Sequence, residues 1–245
     1  MISKTFLQSI ISKYYMEGLI ESVKWIVNDN NLYINCVSPN KNLVGNIHVK
    51  NFNLMDSEFG IYDTTKLNKL ISVINKDLDI NLNKVGKTYT KLLLSDSQFS
   101  INYSLANLKM IDKIPDIEEP NYDIEINLEN DDIISMIRAK TALIDANTVI
   151  IQPHINEQGE NHIEMIFGNN DEYSNKISYY LTQIISNTPK HYKVNYNSDV
   201  IKSVMNANKE SSRAKMYINL EGLMKIEFDN GEIKSKYFII QEESY

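Results

Sequence analysis

Two stretches of this chain share one grammar: 61–77, IYDTTKLNKLISVINKD, and 195–210, NYNSDVIKSVMNANKE. Each leaves an apolar strand through a tyrosine, makes a short polar break, and continues at helical spacing to an Asn-Lys pair. A strand–helix unit written twice constrains the fold strongly, because each copy must bury its apolar face on a sheet of its own. The surroundings repeat as well. A helical pattern precedes the first copy at 3–15, with Phe6, Leu7, Ile10, Ile11, Tyr14 and Tyr15 at helical spacing and Ser3 as N-cap. A second precedes the other copy at 129–142, with Ile133, Ile134, Met136 and Ile137 as its apolar side. Tyr62 and Tyr196 are separated by 134 residues, and the helix starts Ser3 and Glu129 by 126. Separations this close predict a duplicated module with drift in loop length.

Between the helices lie short alternating runs bounded by Asn, Asp and Gly, which read as antiparallel strands. In the first half they are 19–27, 32–37, 43–50, 57–62, and three runs from Leu78 to Leu105. In the second half they are 122–128, 148–155, 161–168, 175–185, 191–196, and three runs from Arg213 to Gln241. Residues 106–121 have two prolines, several acids and no period, so they read as a linker. The expected domains are 1–105 and 122–245, joined by 106–121. In the strand-to-helix unit, Asp63 or Thr64 caps helix 65–76, and Leu67, Leu70, Ile71 and Ile74 hold it to its sheet.

Hydrophobic residues make up 42% of the 245, enough for real cores. One cysteine, Cys36, excludes an internal disulfide framework, and it reads as a small core residue. The amphipathic N-terminal stretch does not read as a signal peptide, and no apolar run is long enough for a membrane helix. A cytoplasmic protein is expected, in the host cytoplasm if the chain is viral. The net charge of −7 argues against a generic nucleic-acid binder, but its distribution is uneven. The four helical stretches sum to +5 and leave −12 for the remaining residues. Lys4 and Lys13, Lys66, Lys69 and Lys76, Arg138 and Lys140, and Lys202 and Lys209 all fall away from the apolar sides on helical wheels. One such helix is ordinary. Four of them in an acidic chain suggest a basic helical surface suited to sequence-independent phosphate contact.

Three segments resemble the sliding clamps, the DNA polymerase processivity factors, and most closely the T4-type bacteriophage clamps. They are EFGIYDTTKLNKLISVINKDLDINL (58–82), EINLENDDIISMIRAKTALIDANTVIIQP (125–153) and YKVNYNSDVIKSVMNANKESSRAKMYINLEGLMKIEF (192–228), the last shared more widely with PCNA-type clamps. The resemblance implies an α+β DNA-clamp fold. Two similar domains would each carry two helices on curved antiparallel sheets, and the chains would close into a homotrimeric ring. It implies no enzyme activity and no cofactor. The expected partners are double-stranded DNA, a DNA polymerase and a clamp loader, with no membrane. The family's DNA-facing cations fall on Lys4, Lys13, Lys66, Lys69, Lys76, Arg138, Lys140, Lys202 and Lys209, with Arg213 and Lys215 nearby. Its connector loop falls on 106–121. Its partner-peptide groove falls on Val37, Leu43, Val44, Ile111, Ile114, Ile117, Phe238 and Ile240. Its ring-closing edge strands fall on 92–101 and 176–185. The alternative reading is a ring-forming structural or protein-interaction scaffold that does not encircle DNA.

Other features suggest chemistry less strongly. His154 and His162 are symmetric about Gln158 and supply at most half a zinc site. The acids of DIEEP, 116–120, lie between prolines, where solvated carboxylates are expected. No Ser-His-Asp or Cys-His constellation is present, so a β-rich enzyme has no candidate site.

Overall fold

The computed structural model describes residues 1–168, 174–185 and 191–242. The expected second domain runs to 245, and its residues 243–245 lie outside the described set. The chain separates into two compact units, Met1–Pro115 with Gly231–Ser235, and Asp116–Asn230 with Lys236–Tyr245.

The first unit holds β1 (Ile2–Ser3), α1 (Lys4–Tyr15), β2 (Val23–Asn28), β3 (Asn31–Val37), β4 (Leu43–Val49), β5 (Ser57–Ile61), α2 (Thr64–Ser72), β6 (Asp77–Val85), β7 (Thr88–Ser95) and β8 (Ser100–Ser104). Its strands run antiparallel in the orders β1-β6-β7-β8 and β5-β2-β3-β4. The second unit holds β9 (Ile124–Leu128), α3 (Asn130–Ala142), β10 (Thr148–Ile155), β11 (Asn161–Phe167), β12 (Ile177–Leu181), β13 (Val194–Asn197), α4 (Ser198–Ala207), β14 (Arg213–Ile218), β15 (Leu223–Asp229) and β16 (Ile233–Ile240), the first residues of β16 grouping with the first unit. Its orders are β9-β14-β15-β16 and β13-β10-β11-β12. The wiring is the same in both. The strand before the first helix pairs with the strand after the second, Ile2 with Leu78 and Leu128 with Ala214. The strand after the first helix pairs with the strand before the second, Val23 with Ile61 and Val149 with Tyr196.

Local chemistry sets the helix starts. The Ser3 hydroxyl accepts from the Phe6 amide at 3.1 Å, and the Asp63 carboxylate from the Lys66 amide at 2.8 Å. The Asn197 amide oxygen accepts from the Asp199 and Val200 amides, both at 3.0 Å. Glu129 and Asp132 form a capping box, with the Glu129 amide donating to Asp132 at 2.7 Å. Ser3 to Glu129 and Asp63 to Asn197 reproduce the separations of 126 and 134 read from the sequence.

In the first unit, Leu7, Ile10, Ile11 and Tyr14 of α1 and Leu67 and Ile71 of α2 are buried. Trp25 is fully enclosed, with the rings of Tyr14, Phe52 and Phe59 6.4, 5.9 and 5.7 Å away. Truncating a tryptophan so placed costs about 3–5 kcal/mol. Cys36 is buried here, and burial pushes its thiol up to about 12. In the second unit α3 packs on α4, and Met165 and Phe167 of β11 and Ile201 and Met205 of α4 are buried.

Several boundaries differ from the sequence expectation, among them the strand expected at 19–27, which begins at Val23, and the one expected at 191–196, which begins at Val194. Helix α2 stops at Ser72 and not at 76, and Val73 and Ile74 close it with tighter turns onto Leu70 and Ile71. Ile74 nonetheless stays buried. Helix α4 stops at Ala207, where the buried Asn208 side chain donates to the Val204 carbonyl at 2.8 Å. The expected strand 175–185 divides. Residues 177–181 form β12, while Gln183 and Ile185 hydrogen-bond to Asn127 and Glu125 along the outer side of β9.

Strands β8 and β12 each lie at one end of a four-stranded sheet, with β1 and β13 at the other ends. The expectation of an edge at 92–101 is corrected, because Leu92–Ser95 belongs to β7, which lies between β6 and β8.

Candidate nucleic-acid interface

In the first unit the cations sit around α2. Asp63 caps its start, and the buried Thr64 donates its hydroxyl to the Glu21 carbonyl at 2.8 Å. Leu67 and Ile71 fix the packed side, so Lys66 and Lys69 stand exposed on the other, with Lys76 exposed just beyond the helix. Lys4 has a different task. Its ammonium donates to the Ser72 and Ile74 carbonyls at 2.7 and 2.6 Å, which places a cation on the unsatisfied C-terminal end of α2.

Two expected solvent-facing lysines are not solvent-facing. Lys13 is 1% exposed, on the packed side of α1. Lys140 is 2% exposed. Its ammonium donates to the Ile144 and Ala146 carbonyls at 2.7 and 2.8 Å and lies 3.2 Å from the Asp199 carboxylate at the start of α4. Helix α3 is turned relative to the wheel reading: Ile133, Met136, Ala139 and Lys140 are buried, while Ile134 and Ile137 are only partly covered. A wheel ranks lysine as polar and has no view of carbonyls brought in by a neighbouring turn. A fixed set of acceptors makes burial of the ammonium tolerable here.

Elsewhere in the second unit, Arg138, Lys209 and Arg213 are exposed and Lys202 is half-buried. Lys215 is engaged with Glu125 at 2.7 Å, and that hydrogen bond raises its pKa. Among the described residues, Lys66, Lys69, Lys76, Arg138, Lys202, Lys209 and Arg213 make no ion pair. Seven cations thus remain available to an external anion, three in one unit and four in the other.

The expected groove residues are also placed. Val37, Leu43 and Val44 are buried in β3 and β4, and Ile111 and Ile114 are half-buried in the first unit. In the second unit Ile117 is half-buried, Phe238 is buried and Ile240 is 50% exposed. The acids of 116–120 need a correction, since Glu119 is not simply solvated: it lies 2.9 Å from Lys225 and 2.8 Å from Lys236. Burial pushes its carboxyl up, and the two lysines more than reverse this, holding it below the usual carboxylate range. The sequence reading missed Lys225, whose one signal was a charge inside the apolar strand LMKIEF. His154 and His162 do face each other across the β10–β11 hairpin, with ring centroids 6.4 Å apart. Among the described residues, no group of three or more His, Cys, Asp or Glu is placed to hold a metal ion. No helix among them is long and apolar enough to cross a membrane.

No protein-family model matches the sequence, and no curated protein does. Solved structures do match. The proliferating cellular nuclear antigen (PCNA) of Entamoeba histolytica superposes with a TM-score of 0.76 at 14% identity, over 98% of this chain and 96% of that one. The PCNA of A. fulgidus, solved with the C-terminal region of FEN-1 bound, superposes with a TM-score of 0.77 at 12% identity, over 100% of this chain and 98% of that one. The duplicated ten-element wiring and these superpositions lead to one statement of kind: the chain has the PCNA-like clamp fold.

Proposed function

We propose that this protein is a sliding clamp, akin to the T4-type bacteriophage clamps. It encircles duplex DNA as a homotrimeric ring and tethers a DNA polymerase as a processivity factor, without bond chemistry of its own. The observation that carries the reading is the set of seven unpaired cations on and beside the helices of both units, in a chain whose net charge is −7 and whose fold is that of PCNA. Cations placed on and beside the helices can hold DNA through phosphates alone, even in an acidic protein.

Topological capture allows each phosphate contact to stay weak, so the ring slides. A polymerase docked on it gains a high effective concentration at the primer end. The open edges of β8 and β12 are strands to which a neighbouring subunit can add, which would protect both from unwanted pairing. Residues 106–121 serve as the connector between the domains 1–105 and 122–245, and partner peptides dock beside it. One of the PCNA structures was solved with a C-terminal region of FEN-1 bound, which supports a peptide-docking role for the fold. A clamp loader opens the ring, and the work is done in the cytoplasm.

The test combines native mass spectrometry with substitution. A trimer of the 28.3 kDa chain is expected. Replacing Lys66, Lys69, Lys202 and Lys209 with alanine should leave the trimer intact and flatten the salt dependence of retention on circular duplex DNA. Each phosphate contact removed lowers the slope by roughly 0.9. A stable monomer at micromolar concentration refutes the ring. An unchanged salt slope in an intact trimer refutes the DNA-facing assignment and favours a scaffold that does not encircle DNA.

A further inference from the structure

In the second unit, residues 116–123 run without regular secondary structure. At their downstream end the Asp123 amide donates to the Ile218 carbonyl at 3.0 Å, and the Asn219 side chain donates to the Asn121 carbonyl at 2.8 Å. Further upstream the fastening is by charge. The Glu119 carboxylate bridges two lysines on adjacent strands, Lys225 of β15 at 2.9 Å and Lys236 of β16 at 2.8 Å. Glu227 shares both lysines, at 3.2 and 3.8 Å. Lys225 is 7% exposed, with its ammonium 4.7 Å from the Tyr122 ring centroid and 4.2 Å from that of Tyr217. The 116–123 segment therefore presents both a carboxylate and an aromatic face to one nearly buried cation.

We propose that Glu119, gripped between Lys225 and Lys236, is a charge latch that holds the 116–123 segment on strands β15 and β16 and sets how far the segment is ordered before a partner binds. This rests on the reading of 106–121 as a partner-docking connector. The two lysines and two glutamates are neutral as a group. Opening the latch strands Lys225 with Glu227 alone, so the closed state is favoured. The Glu119 and Lys236 side chains are 38% and 36% exposed, so added salt weakens that side of the latch. Whatever ordering the latch supplies beforehand is a cost that a docking partner does not meet. Any chemistry that neutralises Lys236 loosens the segment without touching the sheet.

Hydrogen exchange on the full-length protein tests this. Glu119→Gln should make the Asp123 amide, held by the Ile218 carbonyl, exchange about tenfold faster, as expected when a local fastening of this class is lost. Peptides from β14 and β15 should not change. Lys236→Gln, which leaves the Lys225–Glu227 pair in place, should give a smaller increase. Raising sodium chloride from 0.05 to about 0.5 M should speed exchange in the wild type and leave Glu119→Gln unaffected, because the Debye length falls severalfold over that range. Unchanged exchange in Glu119→Gln overturns the proposal. So does faster exchange that spreads through β14 and β15, which would make Glu119 part of the sheet's own stability. Native mass measured on the same samples keeps the two readings apart. A monomer with an intact latch defeats the clamp alone, and a trimer with no latch defeats this inference alone.

Discussion

Lys140 and Lys66 stand at comparable places in the sequence pattern, both on helices and both read as polar-face lysines, yet they have opposite environments. Replacing Lys140 with methionine keeps most of the unbranched volume and removes the donor. Of its three partners, Asp199 has a side chain 63% exposed, so the lost ion pair counts as a surface one, ~0–1 kcal/mol. The Ala146 carbonyl retains the Ser198 hydroxyl. The Ile144 carbonyl belongs to a residue 78% exposed, so water can partly replace the lysine. Losing two short charged hydrogen bonds under these terms should destabilise the fold by about 1–3 kcal/mol. For a chain of this length that lowers the melting temperature by roughly 2–12 °C. Lys66→Met, at an exposed site, should stay within about 0.5 kcal/mol of wild type. The assays are urea denaturation for stability and the salt slope of DNA retention for function. Lys140→Met should lose stability with its slope unchanged, and Lys66→Met should do the reverse. If Lys140→Met is as stable as wild type and its DNA slope falls as that of Lys66→Met does, its ammonium faces the phosphates and the buried assignment is wrong.

Other outcomes follow from single sites. Burial, and then the Asp132 carboxylate to which its hydroxyl donates at 2.6 Å, push the Tyr179 phenol up to about 12. The folded state holds that proton more tightly than the unfolded chain, whose tyrosines titrate near 10. Its contribution to stability is therefore complete below about pH 10 and is lost as pH rises through about 12. Ultraviolet titration should show one late phenol missing from Tyr179→Phe, and an unchanged titration curve would contradict the assignment. Gly168 has φ 151°, and a β-carbon there would meet the Asn175 carbonyl oxygen at 3.0 Å and Lys176 at 2.9 Å. Gly168→Ala should cost about 1–3 kcal/mol in chemical denaturation, and a loss under 0.5 kcal/mol would show that the backbone can yield there.

Much of the fold could be read from the sequence because its signals are local. Ser3 and Asp63 announced their helices by capping, and Leu67, Ile71 and Ile74 gave the packed side of α2 by period alone. The duplication was visible in two separations, and the same separations recur between the N-caps. What stayed hidden depended on partners distant in sequence. Lys140 is buried because carbonyls at 144 and 146 and a carboxylate at 199 converge on it. Lys4 caps a helix that ends nearly seventy residues later. Glu119 finds lysines more than a hundred residues away. Helix ends misled for a related reason. Neither α2 nor α4 stops at a glycine, so nothing in the local sequence marked Ser72 or Ala207 as a terminus. Lys76 and Lys209 consequently lie beyond the helices that were expected to carry them.

The return of residues 231–235 to the first unit has a consequence for how the protein is made. The Lys50 amide donates to the Glu232 carbonyl at 2.9 Å, a partner about 180 residues further along. At 5–20 residues per second a ribosome needs roughly 10–35 s to deliver it. For that interval the nascent first half waits, lacking part of its own structure, while the whole second half emerges. The two halves reach completion almost together. A ribosome that stalled before residue 231 would leave both halves unfinished, not the second alone.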